Sequence, residues 1–196
     1  MQGIIQLYAS LLPVILAGVA NSAFVKSGLL AGLARPLDGG RDFIDHRRIL
    51  GEGKTYKGFV GYIALSMAFT VIWGWACSLS TGLQGNDLFY RLHGNTLPLN
   101  LLIGFLLGFA WALFELPNSF IKRRLAITSS MGGTGAKGVV FAILDQADSI
   151  FGVVLVLALF YPLSVAEYFF FVAVGAATHL LFNFLLYVAK LRKRPL

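Results

Sequence analysis

The sequence predicts an all-α fold, a polytopic membrane helical bundle of five transmembrane helices with the N-terminus outside and the C-terminus cytoplasmic. Three observations predict it. The chain is 57% hydrophobic and only 13% charged, with a mean hydropathy of +0.75, whereas a soluble domain carries about 25% charged residues. The apolar residues gather into runs of roughly 17–25 residues, the length that crosses a hydrocarbon core. Lys and Arg segregate between those runs, and the cytoplasmic loops of membrane proteins hold the excess of positive charge.

The five runs fall at roughly 3–25, 57–80, 97–116, 138–160 and 165–189. The first begins MQGIIQLYAS, without the basic segment that opens a signal peptide. The second holds the only cysteine, Cys77. Alone it can form neither an internal disulfide nor a zinc site, and it reads as a small residue facing lipid or core. The third ends at Leu116-Pro117-Asn118-Ser119. Proline is expected to end or kink that helix, with Asn118 or Ser119 capping a short helix through Ile121 to Leu125. The fourth follows MGGTGAKG at 131–138, read as a flexible glycine-rich linker. The fifth is reached through a tight hairpin at Tyr161 and Pro162.

Two cytoplasmic loops result, at about 26–56 and about 117–137, with an outer loop at about 81–96. Fifteen of the sixteen basic residues then lie on one side, and only Arg91 on the other. A missed or extra span would destroy that split. Residues 1–196 read as a single membrane domain without internal repeats. The net charge of +7 sits beside apolar runs, which points to topology, the bilayer and phosphate groups rather than to nucleic acid.

The polar block from Arg35 to Gly58 has six basic residues, four acidic residues and five glycines between two greasy runs. Within it, Gly51-Glu52-Gly53-Lys54-Thr55 precedes a helix. Glycines there let backbone N–H groups turn toward an anion, and the helix start adds positive potential. Lys54 would add a point charge, and Thr55 a hydroxyl or a cap. The stretch is not a Walker A loop, because Arg48 stands where that pattern needs its first glycine. A simple loop and cap is the alternative. Arg47 and Arg48 follow Asp42 and Asp45. Guanidinium forks bind phosphate bidentately, and a surface ion-pair mesh is the alternative.

Asp145 and Asp148 lie inside the fourth run. Carboxylates in a span cost about 2.5–3.5 kcal/mol each, and at i and i+3 they share a helix face. Together they could hold magnesium, which suits oxygen ligands plus substrate phosphates. A wet helix end or polar packing is the alternative. Glu115 stands at the same end of the third run, just before the basic triplet Lys122, Arg123 and Arg124. His179 and Asn183, four apart in the fifth run, read as interhelical hydrogen-bonding groups. Asp87 and His93 in the outer loop receive no role. No Ser-His-Asp, haem or zinc pattern is present in the sequence. Basic groups, glycines and carboxylates on one face suit metal-assisted chemistry on a phosphate.

Pro36-Leu37-Asp38-Gly39-Gly40 and Phe43-Ile44-Asp45-His46-Arg47-Arg48-Ile49-Leu50-Gly51-Glu52-Gly53-Lys54-Thr55 resemble the long cytoplasmic loop of CDP-archaeol synthases. Asn21 also fits that family. Ser119 to Leu125, followed by Leu144-Asp145-Gln146-Ala147-Asp148, is similar to its second motif and to the signature of phosphatidate cytidylyltransferases. The resemblance implies five spans and a CTP-dependent cytidylyltransferase of phospholipid biosynthesis in the cell membrane. Such an enzyme converts a lipid phosphate to a CDP-lipid with release of pyrophosphate, and uses Mg2+ at its cytoplasmic side. It implies metal-linked carboxylates at Asp145, Asp148 and Glu115, with Lys122 catalytic beside them. Phosphate contacts are expected from Asp45, Arg47, Arg48, Gly53, Lys54, Thr55, Ser119 and Arg123. The lipid carries isoprenoid ether or diacyl chains, and a homodimer is an expectation.

Two positions depart from the family pattern. Phe114-Glu115 replaces Gly-Asp, and His46 replaces the glycine of Asp-Gly-Arg-Arg. They raise an alternative, a weak or inactive member that binds lipid head groups. A transporter is a third reading, but it predicts inverted repeats or paired broken helices, and the five unequal runs show neither.

Overall fold

The computed structural model describes residues 2–127 and 136–188. Among them, seven helices follow one another: α1 (Gln2–Lys26), α2 (Tyr56–Ser78), α3 (Thr81–Asn86), α4 (Leu88–His93), α5 (Leu97–Arg124), α6 (Ala136–Phe160) and α7 (Val165–Val188). A 3-10 turn at Ala31–Leu33 lies after α1. Among the described residues, extended pairing is limited to two isolated bridges in the Arg35–Gly58 block. The five long helices α1, α2, α5, α6 and α7 each contain a stretch long and apolar enough to cross a membrane, as the sequence predicts.

Three local expectations need correction. Proline does not end the third span: α5 runs for 28 residues with Pro117 inside it. A proline removes one N–H and displaces one carbonyl, and a spanning helix tolerates this where neighbours support the backbone. Here α6 packs along α5, and Asn118 bonds to α6 rather than capping a new helix. The loop drawn from 117 therefore begins at Leu125. The outer connection is not plain loop either. Ser80 caps α3 and Asp87 caps α4 through their side chains, which satisfies N–H groups that a helix start leaves open. Of the glycine-rich linker, residues 131–135 lie outside the described residues, while Ala136, Lys137 and Gly138 already belong to α6.

Helix α5 is the centre of the bundle, with α2 on one flank and α6 on the other. Gly104 and Gly108 let α2 approach closely: a Cβ on them would lie 2.5 Å from the Met67 Cα and 2.7 Å from the Ile63 Cα. This is the small-xxx-small packing of membrane helices, where close backbones replace a hydrophobic driving force. Helix α1 packs on α2, α7 packs on α6, and α1 and α7 touch only sparsely. Leu7, Leu11 and Val14 of α1 meet Ile103, Leu107 and Trp111 of α5 and Val153, Val154 and Leu157 of α6 in one core. Tyr62 of α2 stacks on Trp111 at 5.1 Å and donates its hydroxyl to the Val14 carbonyl at 2.9 Å. Cys77 is buried in this core.

At the end of the bundle formed by α3 and α4, Ser10 of α1 accepts the Leu88 N–H at 2.8 Å. Asp87, 1% exposed, accepts the Trp73 indole N–H and the Phe89 N–H, both at 2.9 Å. Burial pushes its carboxyl up to about 6, against the opposing pull of the Trp73, Phe89 and Tyr90 hydrogen bonds. His93 Nε2 lies 2.9 Å from the Phe160 carbonyl and fastens α4 to the end of α6.

Candidate active site

At the opposite end, the Arg35–Gly58 block folds over the ends of α1 and α5. Its base is closed by the Leu37 N–H on the Lys54 carbonyl at 2.8 Å and the Tyr56 N–H on the Arg35 carbonyl at 3.0 Å. Asp38 organises its interior. That side chain is fully shielded and accepts Arg48 Nη2 at 2.7 Å and the N–H groups of Gly40, Leu50 and Gly51 at 3.0–3.1 Å. Burial by itself would raise the Asp38 carboxyl, but Arg48 and the three N–H groups outweigh it and hold it well below the usual carboxylate range.

The tip of the block turns at His46, whose φ is 57°. That left-handed conformation favours glycine, and histidine is among the side chains that visit it. The departure from Asp-Gly-Arg-Arg thus falls on a backbone turn, with the His46 N–H on the Phe43 carbonyl at 2.9 Å. Arg47 donates to the Arg124 carbonyl, and Arg124 donates back to the Arg47 and Arg48 carbonyls. The Arg124 guanidinium lies about 5 Å from both the Phe43 and Phe120 rings and 2.8 Å from Asp45. Asp45, Arg47 and Arg48, expected at a phosphate, are engaged in contacts within the protein. They dock the block onto the end of α5 and do not line the cavity below. Arg48 is paired with Asp38, Asp45 with Arg124, and Arg47 with a backbone carbonyl left open at the helix end. Buried Lys57 works similarly, donating to the Ser27 carbonyl at 2.6 Å just beyond the end of α1.

The cavity has a volume of about 650 Å³ and is walled by α1, α5, α6, α7 and the block. It gathers Gly53, Lys54, Thr55, Glu115, Ser119, Lys122, Arg123, Asp145 and Asp148, so nine of the predicted site residues meet in one place although they are spread over nearly a hundred positions of sequence. Thr55 caps α2, its Oγ1 accepting the Gly58 N–H at 3.1 Å. Gly51, with φ at +93°, turns the chain against the Arg123 side chain, which a Cβ there would approach to 3.5 Å. Arg123 Nε is buried without a hydrogen-bond partner, as is Asn21 Oδ1 on the α1 wall.

Asp145 and Asp148 do share a face. The Asn118 amide nitrogen donates to Asp145 Oδ1 at 2.6 Å and to Asp148 Oδ2 at 2.8 Å. Lys122 Nζ reaches both oxygens of Asp145, at 2.9 and 2.6 Å. Glu115 is placed differently from the expectation. Among the described residues no group of three metal-binding side chains forms. Glu115 Oε1 instead accepts the Trp111 indole N–H at 2.8 Å, and Oε2 pairs with Lys54. Its reach, one methylene longer than aspartate, carries it to the oppositely charged Lys54. The neighbouring Phe114 is accommodated by Gly152 of α6, where a Cβ would lie 2.6 Å from the ring.

Two contributors escape a reading of the sequence. Asn118 looks like a cap only while Pro117 looks like a break. Without that break, Trp111, Glu115, Asn118 and Lys122 form one polar stripe at helical spacing. Asp38 stands out in the sequence only as part of a motif. By contrast His179 and Asn183 behave as expected: His179 Nδ1 lies 3.2 Å from the Gln146 carbonyl and Asn183 donates to Gln146 Oε1 at 2.6 Å, tying α7 to α6.

A family model described as CarS-like CDP-archaeol synthase matches residues 4–195. A CDP-archaeol synthase of Pyrobaculum islandicum is 32% identical over 90% of this chain and 91% of its own length. The Pyrobaculum calidifontis synthase is 30% identical over 100% and 99%. A solved intramembrane enzyme for archaeal membrane lipids biosynthesis is 25% identical, covers 90% of this chain and 91% of its own, and superposes with a TM-score of 0.59. This chain therefore belongs to the CarS-like CDP-archaeol synthase family of CTP-dependent cytidylyltransferases, enzymes that work within the membrane.

Proposed function

We propose that this protein transfers the cytidylyl group of CTP to a glycerol phosphate carrying isoprenoid ether chains, at the cytoplasmic face of the cell membrane, and releases pyrophosphate. One observation carries this reading. A single cavity joins a charged end, with Lys54, Lys122, Arg123, Asp145 and Asp148, to an apolar slot between α1 and α7. A substrate that is anionic at one end and hydrocarbon at the other fits such a shape. The names of the relatives supply the archaeal lipid, and the positive-inside rule supplies the side of the membrane.

The lipid phosphate oxygen attacks the α-phosphorus of CTP, a new phosphorus–oxygen bond forms, and the bond to the β-phosphate breaks. A phosphate monoester is largely ionised near neutral pH, so no strong base is required. Catalysis is then positioning and charge stabilisation. Arg123, whose buried Nε has no partner, Lys54 from the block and Ser119 of α5 would hold the phosphates. Lys122, bonded to Asp145, would swing its charge between that carboxylate and the reacting phosphate. Glu115, paired with Lys54 and Trp111, would aim Lys54 rather than hold metal. Asp145 and Asp148, converging on one amide nitrogen, would hold a magnesium ion, which suits carboxylate oxygens. When bound, that ion would supply Lewis-acid stabilisation of phosphate charge.

The test uses purified protein, CTP, magnesium and a panel of lipid phosphates. CDP-lipid should form from the isoprenoid ether lipid in preference to a diacyl one. Asp145→Asn should abolish the product while the protein still melts cooperatively. A fully active Asp145→Asn protein would overturn the carboxylate assignment, and an equal rate on diacyl lipid would overturn the choice of chains.

A further inference from the structure

We propose that residues 28–34, between α1 and the Arg35–Gly58 block, are inserted into the cytoplasmic leaflet of the bilayer as an apolar wedge. Their sequence is Gly-Leu-Leu-Ala-Gly-Leu-Ala, with Lys26 and Arg35 on the flanks and no acidic residue in the chain before Asp38. Every residue from Gly28 to Arg35 is exposed, with Leu29 at 67% and Leu30 at 63%. Leu29, Leu30 and Leu33 stand outside the hydrophobic core. A Cβ on Gly28 or on Gly32 would meet nothing within 4 Å, so neither glycine is there to admit a neighbouring element.

Depth, strain and charge name the bilayer as what covers these leucines. Both ends of the segment are tied to the start of the second span. Buried Lys57 donates to the Ser27 carbonyl at 2.6 Å, and the Tyr56 N–H donates to the Arg35 carbonyl at 3.0 Å. Tyr56 and Lys57 open α2, so they stand where that span leaves the hydrocarbon. A segment so short, held at both ends, reaches at most about 13 Å from its anchors at about 3.3 Å per residue. It therefore stays beside the acyl boundary, into which interfacial segments sink their apolar faces by about 5–10 Å. Leu30 has φ 49° and ψ 41°, the left-handed conformation that a Cβ resists. Glycine stands two positions away on each side, yet leucine occupies the strained position itself. In water nothing offsets that strain, whereas among acyl chains the burial of the leucine side chain does. The backbone is also prepared for a dry layer: the N–H groups of Leu29, Leu33 and Ala34 bond to Ser27 Oγ and to the Leu30 and Ala31 carbonyls. Lys26 and Arg35 on the flanks suit anionic head groups. Val25 and Lys26 before the wedge and Leu37 after it line the cavity, so the wedge pins the rim of the candidate site at head-group level.

The experiment places one nitroxide at a time on Leu30→Cys and Leu33→Cys in the full protein, reconstituted into vesicles of phosphatidylcholine and phosphatidylglycerol. Ile72→Cys, on the exposed face of α2, is the lipid reference, and Arg41→Cys, exposed in the block, is the water reference. Cys77 is buried and stays unlabelled. Power saturation compares collisions with oxygen, which concentrates in the bilayer, and with a nickel chelate, which stays in water. The oxygen-to-chelate ratio at 30 and 33 should match that at 72 and exceed that at 41 several-fold. A ratio at 30 and 33 equal to that at 41 would overturn the wedge and place the segment in the cytoplasm. Shielding from both reagents, with dipolar broadening between labels, would overturn it in favour of a second copy of this chain on the same face. Two label positions keep the test decisive if one variant fails to fold. The readout needs no substrate, so it stands apart from the assay of the lipid reaction.

Discussion

Replacing Asn118 by leucine removes the one group that binds both span carboxylates at similar volume. Asp145 Oδ1 and Asp148 Oδ2 lie 2.6 and 2.8 Å from its nitrogen, so they are no more than about 5.4 Å apart. Two unit charges at that distance repel by about 3 kcal/mol at an effective dielectric of about 20. Lys122 offsets part of this through Asp145. The lost hydrogen bonds to charged acceptors are worth about 1.5–3 kcal/mol each. That repulsion is present in the wild type too, so the change rests on the two hydrogen bonds, which at the low end of their range give a net destabilisation of about 3 kcal/mol and in a chain of this size lower Tm by about 6–12 °C. Melting in detergent at neutral pH measures it. Magnesium should restore more stability to Asn118→Leu than it adds to the wild type, because a cation between the carboxylates replaces the amide's screening. Activity should fall about a hundredfold, the usual cost of misplacing a catalytic group by about an ångström. A variant that melts within about 2 °C of the wild type, with or without magnesium, would refute the idea that Asn118 holds the pair together.

Two further outcomes are expected. His46→Val should destabilise the protein by about 1–2 kcal/mol, since a β-branched residue resists the left-handed φ of 57°, whereas His46→Gly should not. Equal melting of the two variants would show that the turn is not constrained. At Asp87 burial raises the folded-state pKa to about 6, above an ordinary carboxylate near 3.9. Its contribution to stability is therefore fully present below about pH 4 and is lost as pH rises through 6, by about 3 kcal/mol in all. The difference in melting between wild type and Asp87→Asn should shift against the wild type between pH 4.5 and 7.5, and a constant difference would contradict the assignment.

The five spans and most of the groups at the charged end were legible in the sequence. Span length and the segregation of Lys and Arg are imposed by the bilayer on each segment separately, so they show without a partner segment. Asp145 and Asp148 were visible for the same reason, because a carboxylate inside an apolar run is costly wherever the run packs. The division of labour among the charges was decided only by tertiary structure. Arg47 and Arg48 look as fit for phosphate as Arg123 does. Only the fold shows that Asp38 and the open carbonyls of α5 absorb the first two, and that Arg123 lines the cavity with its buried Nε unpartnered. Glu115 and Asn118 each left the role expected of them because α5 continues through Pro117 and brings Lys54 and the aspartates of α6 within reach. A charge announces itself by its identity, but its role depends on its nearest opposite charge or open carbonyl, and that distance is fixed only when the helices pack.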